Sequence, residues 1–250
     1  MNRSFKAVFI IAITAIVFLV SSCGLEEFPL VYPIPQSNIQ SVMNNRAVVY
    51  VPSDNAGTTF SHFAVFYRIY ISNSLQAETS SASFPTINSV LVTDHNAIRP
   101  HIDSTTSLNV NFDAFFTGRG FHHLSIAGHN INLVLSSSVF GSTLEFNFPS
   151  FTEPTMSIGQ TVYTLSRSER LSDPQPSSRL FINNDELRNP ANIDPVINGD
   201  VVDMPNIAAG ERRYTYAAFY IVAVGINQAT YSFIYSTPSL IHVFQLPDRW

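Results

Sequence analysis

Two runs of the chain are apolar on both of their alternating faces. In His62–Ile71 (HFAVFYRIYI) the odd positions are Phe63, Val65, Tyr67, Ile69 and Ile71, and the even ones include Ala64, Phe66 and Tyr70. Tyr214–Val224 (YTYAAFYIVAV) has the same character. A strand with one wet face alternates apolar and polar, whereas a strand covered on both faces does not, so both runs are predicted as central strands. Shorter β-rich runs set off by turn residues surround them: Arg46–Val51, Phe121–Ala127, Ile131–Leu135, Thr143–Phe148, Thr161–Leu165, Tyr231–Tyr235 and Leu240–Leu246. The break at Ser236-Thr237-Pro238 marks a kink or an edge position. One segment departs from the β pattern. Pro85–Arg99 places Ile87, Val90, Leu91 and Ile98 near helical spacing, with a proline suited to the first turn and Pro100 just past the end, which predicts a short helix. Between Ser166 and Asn206 the chain is rich in Pro, Asn, Asp and Ser. That is too long for an ordinary connection, so it is either an interaction loop or loosely ordered.

The other continuous apolar run lies at the N-terminus. Arg3 and Lys6 precede Ala7–Val20 (AVFIIAITAIVFLV), which is followed by Ser21, Ser22 and Cys23, the single cysteine of 250 residues. A membrane-spanning helix needs about 20 apolar residues, so this run fits the three regions of a secretory signal peptide, residues 1–22, better than a permanent span. Leu19-Val20-Ser21-Ser22-Cys23 resembles the lipobox of bacterial lipoproteins. The resemblance implies a diacylglyceryl group on the Cys23 sulfur, cleavage just before it, and acylation of the new amine. It also implies a membrane-anchored, extracytoplasmic location, with Gly24 in place of an acidic retention residue favouring the outer membrane. The cysteine count agrees, because one cysteine cannot form an internal disulfide and would otherwise be a stray thiol in an oxidising compartment. Several acyl chains, at about 0.8 kcal/mol per buried methylene, anchor stably where one does not.

Residues 23–36 then read as a lipidated cysteine and a tether. Pro29, Pro33 and Pro35 favour extended backbone. Phe28, Leu30, Val31, Tyr32 and Ile34 are more apolar than a solvated spacer needs, so docking on the domain and a free tether are both open.

Residues 37–250 are expected to form one mainly β domain. AVVYVPS with FAVFYRIYIS resembles the second and third strands of a fibronectin type III sandwich, and FYIVAVGINQATYSFIYSTPSLIHVF resembles its last hairpin. The resemblance implies an elaborated fibronectin III/immunoglobulin-like β-sandwich with one short helix, long loops and a large insertion at about 73–213. The family's second-strand tryptophan is missing, since the only one is Trp250.

Composition sharpens the functional side. Apolar residues make up 45% of the chain and charged ones only 12%, so a large core is available and the surface is dressed mainly by Ser, Thr, Asn and Gln. Removal of Arg3 and Lys6 with the leader leaves eleven arginines, no lysine and eighteen acids, a formal charge of −7. No basic footprint exists for nucleic acid, and an acidic body resists lying flat on anionic lipid.

The candidate chemistry is sparse. His95, His101, His122, His123 and His129 invite a zinc reading, yet neighbouring strand residues point to opposite faces, so His122 and His123 cannot share a site without a bulge. Asp185, Glu186, Asp194, Asp200 and Asp203 could furnish calcium oxygens but lack the order of a known calcium loop, and solvated turns are the favoured account of them. Asp113 and Glu145 are a conceivable glycosidase pair of a kind any β protein offers. Ser125, in HLSIA, lacks the glycines of a nucleophile elbow, and Gly118-Arg119-Gly120 is no dinucleotide fingerprint. The expectation is therefore no enzyme, cofactor or metal, and a lipid-anchored envelope or surface protein that binds a partner through exposed loops. A small-molecule or carbohydrate-binding lipoprotein with an aromatic shelf is the alternative.

Overall fold

The two doubly apolar runs become the longest strands and pair with each other. In the computed structural model, β3 (Phe60–Ser72) lies antiparallel to β9 (Tyr214–Ile226) along its full length, from Phe60 opposite Gly225 to Ser72 opposite Tyr214. The structure describes residues 30–75, 88–102, 110–150, 152–167, 200–202 and 212–246. Cys23, the residues before it and Trp250 lie outside these residues. The remaining elements in chain order are β1 (Ile39–Met43), β2 (Arg46–Tyr50), α1 (Ser89–Ile102), α2 (Phe112–Thr117), β4 (His122–Ile126), α3 (Ile131–Val134), β5 (Thr143–Asn147), β6 (Thr155–Ile158), β7 (Thr161–Arg167), β8 (Val201–Val202), β10 (Phe233–Tyr235) and β11 (Ser239–Leu246).

The strands form one sheet in the order β1-β2-β5-β6-β7-β4-β3-β9, with β10 and β11 following one another along the free edge of β9. Ser236 bridges that break. Its amide donates to the Ala223 carbonyl and its hydroxyl accepts from the Ala223 amide, both at 2.9 Å, so the ladder continues through the kink that Ser236-Thr237-Pro238 foreshadows. The short β8 pairs parallel with β3, and every other pairing is antiparallel. The protein is mainly β, with a sandwich-like fold in which the sheet curls over its own core. Strands β4–β7, from the long middle of the chain, belong to this same sheet.

Both faces of β3 and β9 are covered, as their sequence requires. Phe63, Val65, Tyr67, Ile69, Ala217, Phe219, Ile221 and Ala223 point inward to Val49, Leu144, Phe146, Phe148, Leu165 and Phe244. On the outer face, Ala64, Phe66, Tyr70, Tyr216, Ala218, Tyr220 and Val222 pack against Leu91 and Ile98 of α1, Phe112 and Phe116 of α2, and Phe121. A bulge between Leu240 and His242 shifts the parity of β11, which lets Ile241 and Phe244 both reach the interior.

Two elements differ from expectation. The run Ile131–Leu135, read as a strand, is mostly helix: α3 starts on Asn130, whose side chain accepts from the Asn132 amide. Its apolar positions Ile131, Val134 and Leu135 fit i, i+3, i+4 as well as a buried strand, and the capping asparagine decides between the two. The helix read over Pro85–Arg99 is α1 from Ser89 on, residues 85–87 lying outside the described residues, and it runs through Pro100 to Ile102. A proline in the last turn removes a single backbone bond, while Ile102 packs on the outer core and His101 meets Phe112 and Phe115 edge-on at 5.4 and 4.8 Å. Asn88 starts α1, accepting from the Val90 and Leu91 amides and donating to the Ile71 carbonyl at the end of β3.

The seam between the first and last strands has no regular ladder and is closed mainly by side chains, with one backbone bond. The Gln36 amide donates to the Leu240 carbonyl at 2.8 Å and accepts from its N–H at 3.2 Å, replacing a missing strand residue. Ser239 donates to the Ile34 carbonyl, the Gln245 N–H bonds the Asn44 carbonyl, and His242 Nδ1 lies 2.9 Å from Ser41 Oγ. Of the segment read as a tether, residues 30–36 are described, and its Val31 and Ile34 are buried in the inner core.

Burial in this seam holds the His242 imidazole down to about 4, against a smaller upward pull from the Met43 backbone. The unfolded chain takes up a proton near 6.5 that the folded chain refuses, so stability is flat above about pH 6.5 and falls as pH drops from there toward 4. The loss at the bottom of the window is at most roughly 3 kcal/mol, reduced because the ring is only partly covered. Urea midpoints at pH 7.5, 6.5 and 5.5 should show this decline, and His242→Gln should flatten most of it. A smaller slope of the same sign remains from His62, which burial and the neighbouring His123 also hold below its ordinary value.

Candidate functional site

Three polar clusters are built into the described residues. The most buried joins β7, β8 and β3. Arg167, the last residue of β7, grips Asp200 with two parallel bonds, Nε to Oδ2 at 2.6 Å and Nη2 to Oδ1. Tyr67 donates its hydroxyl to Asp200 Oδ2 at 2.8 Å, and the Asp200 carbonyl accepts from the Ile69 N–H. Arg167 and Asp200 are fully buried. Burial opposes the charge on Arg167, but the hydrogen bonds and charge of Asp200 outweigh it and leave the guanidinium above its ordinary value. An Arg–carboxylate fork of this kind fixes geometry as well as charge. Residues 168–199 begin and end on this pair, so the two roots of the long polar stretch are clamped together.

The clamp also bears on the calcium reading. Both Asp200 oxygens are committed to Arg167 and Tyr67, so this aspartate is not a free ligand. Asp185, Glu186, Asp194 and Asp203 lie outside the described residues.

A second cluster ties α1 to the outer face of the sheet. Asp94 Oδ2 accepts from Arg68 Nη1 and from the Tyr70 hydroxyl, both at 2.7 Å. His95 Nδ1 lies 3.0 Å from the Tyr220 hydroxyl. Burial, and then the Asp94 carboxylate, push the Tyr70 and Tyr220 hydroxyls above the ordinary tyrosine value. The Arg68 guanidinium lies across Gly120. A Cβ there would come within 3.1 Å of Arg68 Nη2, and the backbone is left-handed at φ +74°, so glycine is required. The Gly118-Arg119-Gly120 stretch is thus the turn that ends α2, with the Arg119 guanidinium stacked on the Phe115 ring at 3.8 Å.

The third cluster is open to water. His123 Nε2 lies 2.6 Å from Asp113 Oδ1, with side chains 48% and 44% exposed, and the His123 ring packs on Phe66. His62 stands near enough to feel His123, and burial followed by Asp113 raises the Tyr235 hydroxyl. An Asp–His pair supplies two of the three members of a nucleophilic triad, but among the described residues no hydroxyl bonds to this imidazole.

The histidines are dispersed. His122 turns to the Tyr67 ring at 6.4 Å while His123 takes the opposite face, His129 meets Tyr163 edge-on, and His101 sits between two phenylalanines. No group of three or more metal-capable side chains occurs among the described residues. Asp113 and Glu145 are not brought together. Glu145 pairs with Arg46 at 2.8 Å on the β2–β5 part of the sheet, and Asp113 serves His123 beside β3. Ser125 faces Ser166 across the β4–β7 ladder. The Arg167–Asp200 clamp went unnoticed in the sequence, because a bidentate pair across 33 residues has no local signature. No protein-family model matches the chain, and no curated protein or solved structure matches it significantly.

The clamp gives a direct stability test. Arg167→Met alone leaves a buried carboxylate and should lower the unfolding free energy by about 3–5 kcal/mol. Arg167→Met with Asp200→Leu leaves no unpaired charge and should recover a large share of that loss, read from urea denaturation of the two variants and the parent.

Proposed function

We propose that this protein is a lipid-anchored module of the cell envelope or surface that binds a partner through the segment rooted on the Arg167–Asp200 clamp. The observation carrying the reading is the position of that clamp relative to the point where the chain enters the fold. Val31 packs at the beginning of β3, where Phe60 meets Gly225, while Asp200 bonds Ile69 nine residues further along the same strand. At 3.3 Å per residue the two points are about 30 Å apart. A chain tethered at Cys23 would hold its first end near the bilayer and carry the roots of residues 168–199 away from it.

Other features support binding rather than catalysis. The Asp200 carboxylate is fully buried and both of its oxygens are bonded, which is how structural networks are built. Tyr67, Tyr70, Tyr216 and Tyr220 are core residues, so the tyrosine-rich strands supply packing rather than an aromatic shelf for a ligand.

Two measurements test the reading. Cys23→Ala should lose acyl label, accumulate as uncleaved precursor and leave the domain's folding unchanged; label that persists in the variant would remove the lipid site. Replacing residues 170–197 by a short Gly/Ser bridge should preserve cooperative unfolding while abolishing binding of the chain's partner on the intact envelope. Undiminished binding in that variant would exclude the segment as the recognition element.

A further inference from the structure

Large apolar side chains stand in water at several places, Met43 and Leu75 toward one end of the sheet and the tip of the β9–β10 hairpin at the other. Beyond Gly225 the β9–β10 hairpin projects Ile226, Tyr231 and Phe233, and Tyr231 is 86% and Phe233 60% exposed. Ile226 and Phe233 are direct cross-strand partners and share a face. The loop between them is tightly made. Asn227 Oδ1 accepts from the Ala229 and Thr230 amides, the Asn227 carbonyl accepts from the Tyr231 N–H at 2.7 Å, and Thr230 and Ser232 hydroxyls meet at 2.7 Å.

Within that loop Tyr231 is left-handed at φ +53°, alone among the described non-glycine residues. Glycine or asparagine suits such a position at little cost, whereas a tyrosine there is strained. The strain is not repaid by packing, since the ring is in water. A strained, exposed aromatic is a place to look for a contact made with something else.

The entry of the chain lies beside this hairpin. Val31 reaches so close to Gly225 that a Cβ there would be 2.7 Å from its Cγ1, and Asn55 clasps Tyr32 through both its backbone N–H and its carbonyl. Leu30 is seven links from Cys23, a reach of at most about 25 Å even if fully extended. The three segments meeting here, residues 30–36, 55–61 and 225–235, contain no Asp, Glu, Lys or Arg.

We infer that the Ile226–Phe233 hairpin is a membrane-contact element that seats Tyr231 and Phe233 in the headgroup layer of the bilayer holding the acyl anchor. This rests on the proposed lipidation of Cys23. Tyrosine and phenylalanine partition to that layer through an apolar ring, with the tyrosine hydroxyl left among the headgroups. A neutral tip needs no anionic lipid, so the acidic body of the chain is no obstacle. The contact also fixes which end of the sheet faces outward.

The test uses the mature acylated chain in phosphatidylcholine vesicles containing brominated acyl chains, with Trp250 replaced by Phe. One tryptophan is placed at a time, as Phe233→Trp or Tyr231→Trp at the tip, and as Met43→Trp, an exposed site at the other end of the sheet. Both tip probes should show blue-shifted emission and several-fold stronger bromine quenching than the probe at 43, unchanged in high salt. Tyr231→Asn should raise the thermal midpoint in detergent yet weaken the quenching of Phe233→Trp. Equal quenching at tip and control in protein carrying the acyl label would overturn the inference and leave the anchor intact. Absence of acyl label at Cys23 would instead overturn the anchor, and the inference with it.

Discussion

Everything in the fold follows from one antiparallel pair that cannot tolerate water on either face. β3 and β9 oppose each other over twelve residue pairs and are almost wholly buried. A sheet face of this kind must be covered, and the chain covers each side differently. The inner side closes on itself, because the sheet curls until β2, β5 and β7 lie over the same aromatic core around Phe219. The outer side cannot curl as well, so it takes the α1 and α2 layer. Arg68 is the one charged side chain in β3, and it points to the outer side. Asp94 answers it, which places α1 rotationally as well as laterally, since Tyr70 donates to the same carboxylate oxygen.

Curling creates the second constraint, an edge. A strand edge left bare is a template for unwanted pairing. β9 fills its free edge with β10 and β11, and β11 in turn is met by the chain's first described residues rather than by a full strand. Gln36 imitates a backbone unit, Ser239 and Gln245 reach across, and His242 sits in the gap. Side-chain closure is more sensitive to protonation than a backbone ladder, because its donors and acceptors include an imidazole. The N-terminal segment therefore does two things at once, sealing the sheet and fixing where the chain comes in.

Much of this architecture is legible in the sequence where periodicity carries it. The doubly apolar runs 62–71 and 214–224 are unambiguous, since no other arrangement buries both faces. The kink at Pro238 and the helix near Val90–Ile98 are equally plain. Short elements are not. INLVL at 131–135 satisfies a strand and a helix alike, and a single asparagine cap settles it. β1 and β6 went unread because five- and four-residue strands with polar outer positions resemble loops. β8 is two residues long and exists because Asp200 is clamped beside it. The candidate chemistry failed for a different reason. Proximity in sequence suggested a histidine cluster, but alternation across the pleat sends His122 and His123 apart, whereas Asp113, ten residues from His123, is brought to it by the turn at Gly118–Gly120.

The distribution of charge gives the molecule two unlike ends. Where the chain enters, three neutral segments meet, and the rings of Tyr231 and Phe233 there are displayed rather than packed. Toward the other end stand Arg46 with Glu145 and the buried Arg167–Asp200 fork. A buried ion pair is a weak source of stability, since desolvation offsets most of its attraction, but it is demanding about geometry. Apolar residues at 167 and 200 would hold β7 to β3 about as well. They would not hold the two roots of a thirty-two-residue segment at a single spacing and angle. An exposed tyrosine in a left-handed turn follows the same logic at the opposite end, where local stability is given up for the position of one side chain. The strained tyrosine lies at one end of the β3–β9 pair and the fork toward the other, with the Arg68–Asp94 pair on the outer face between them.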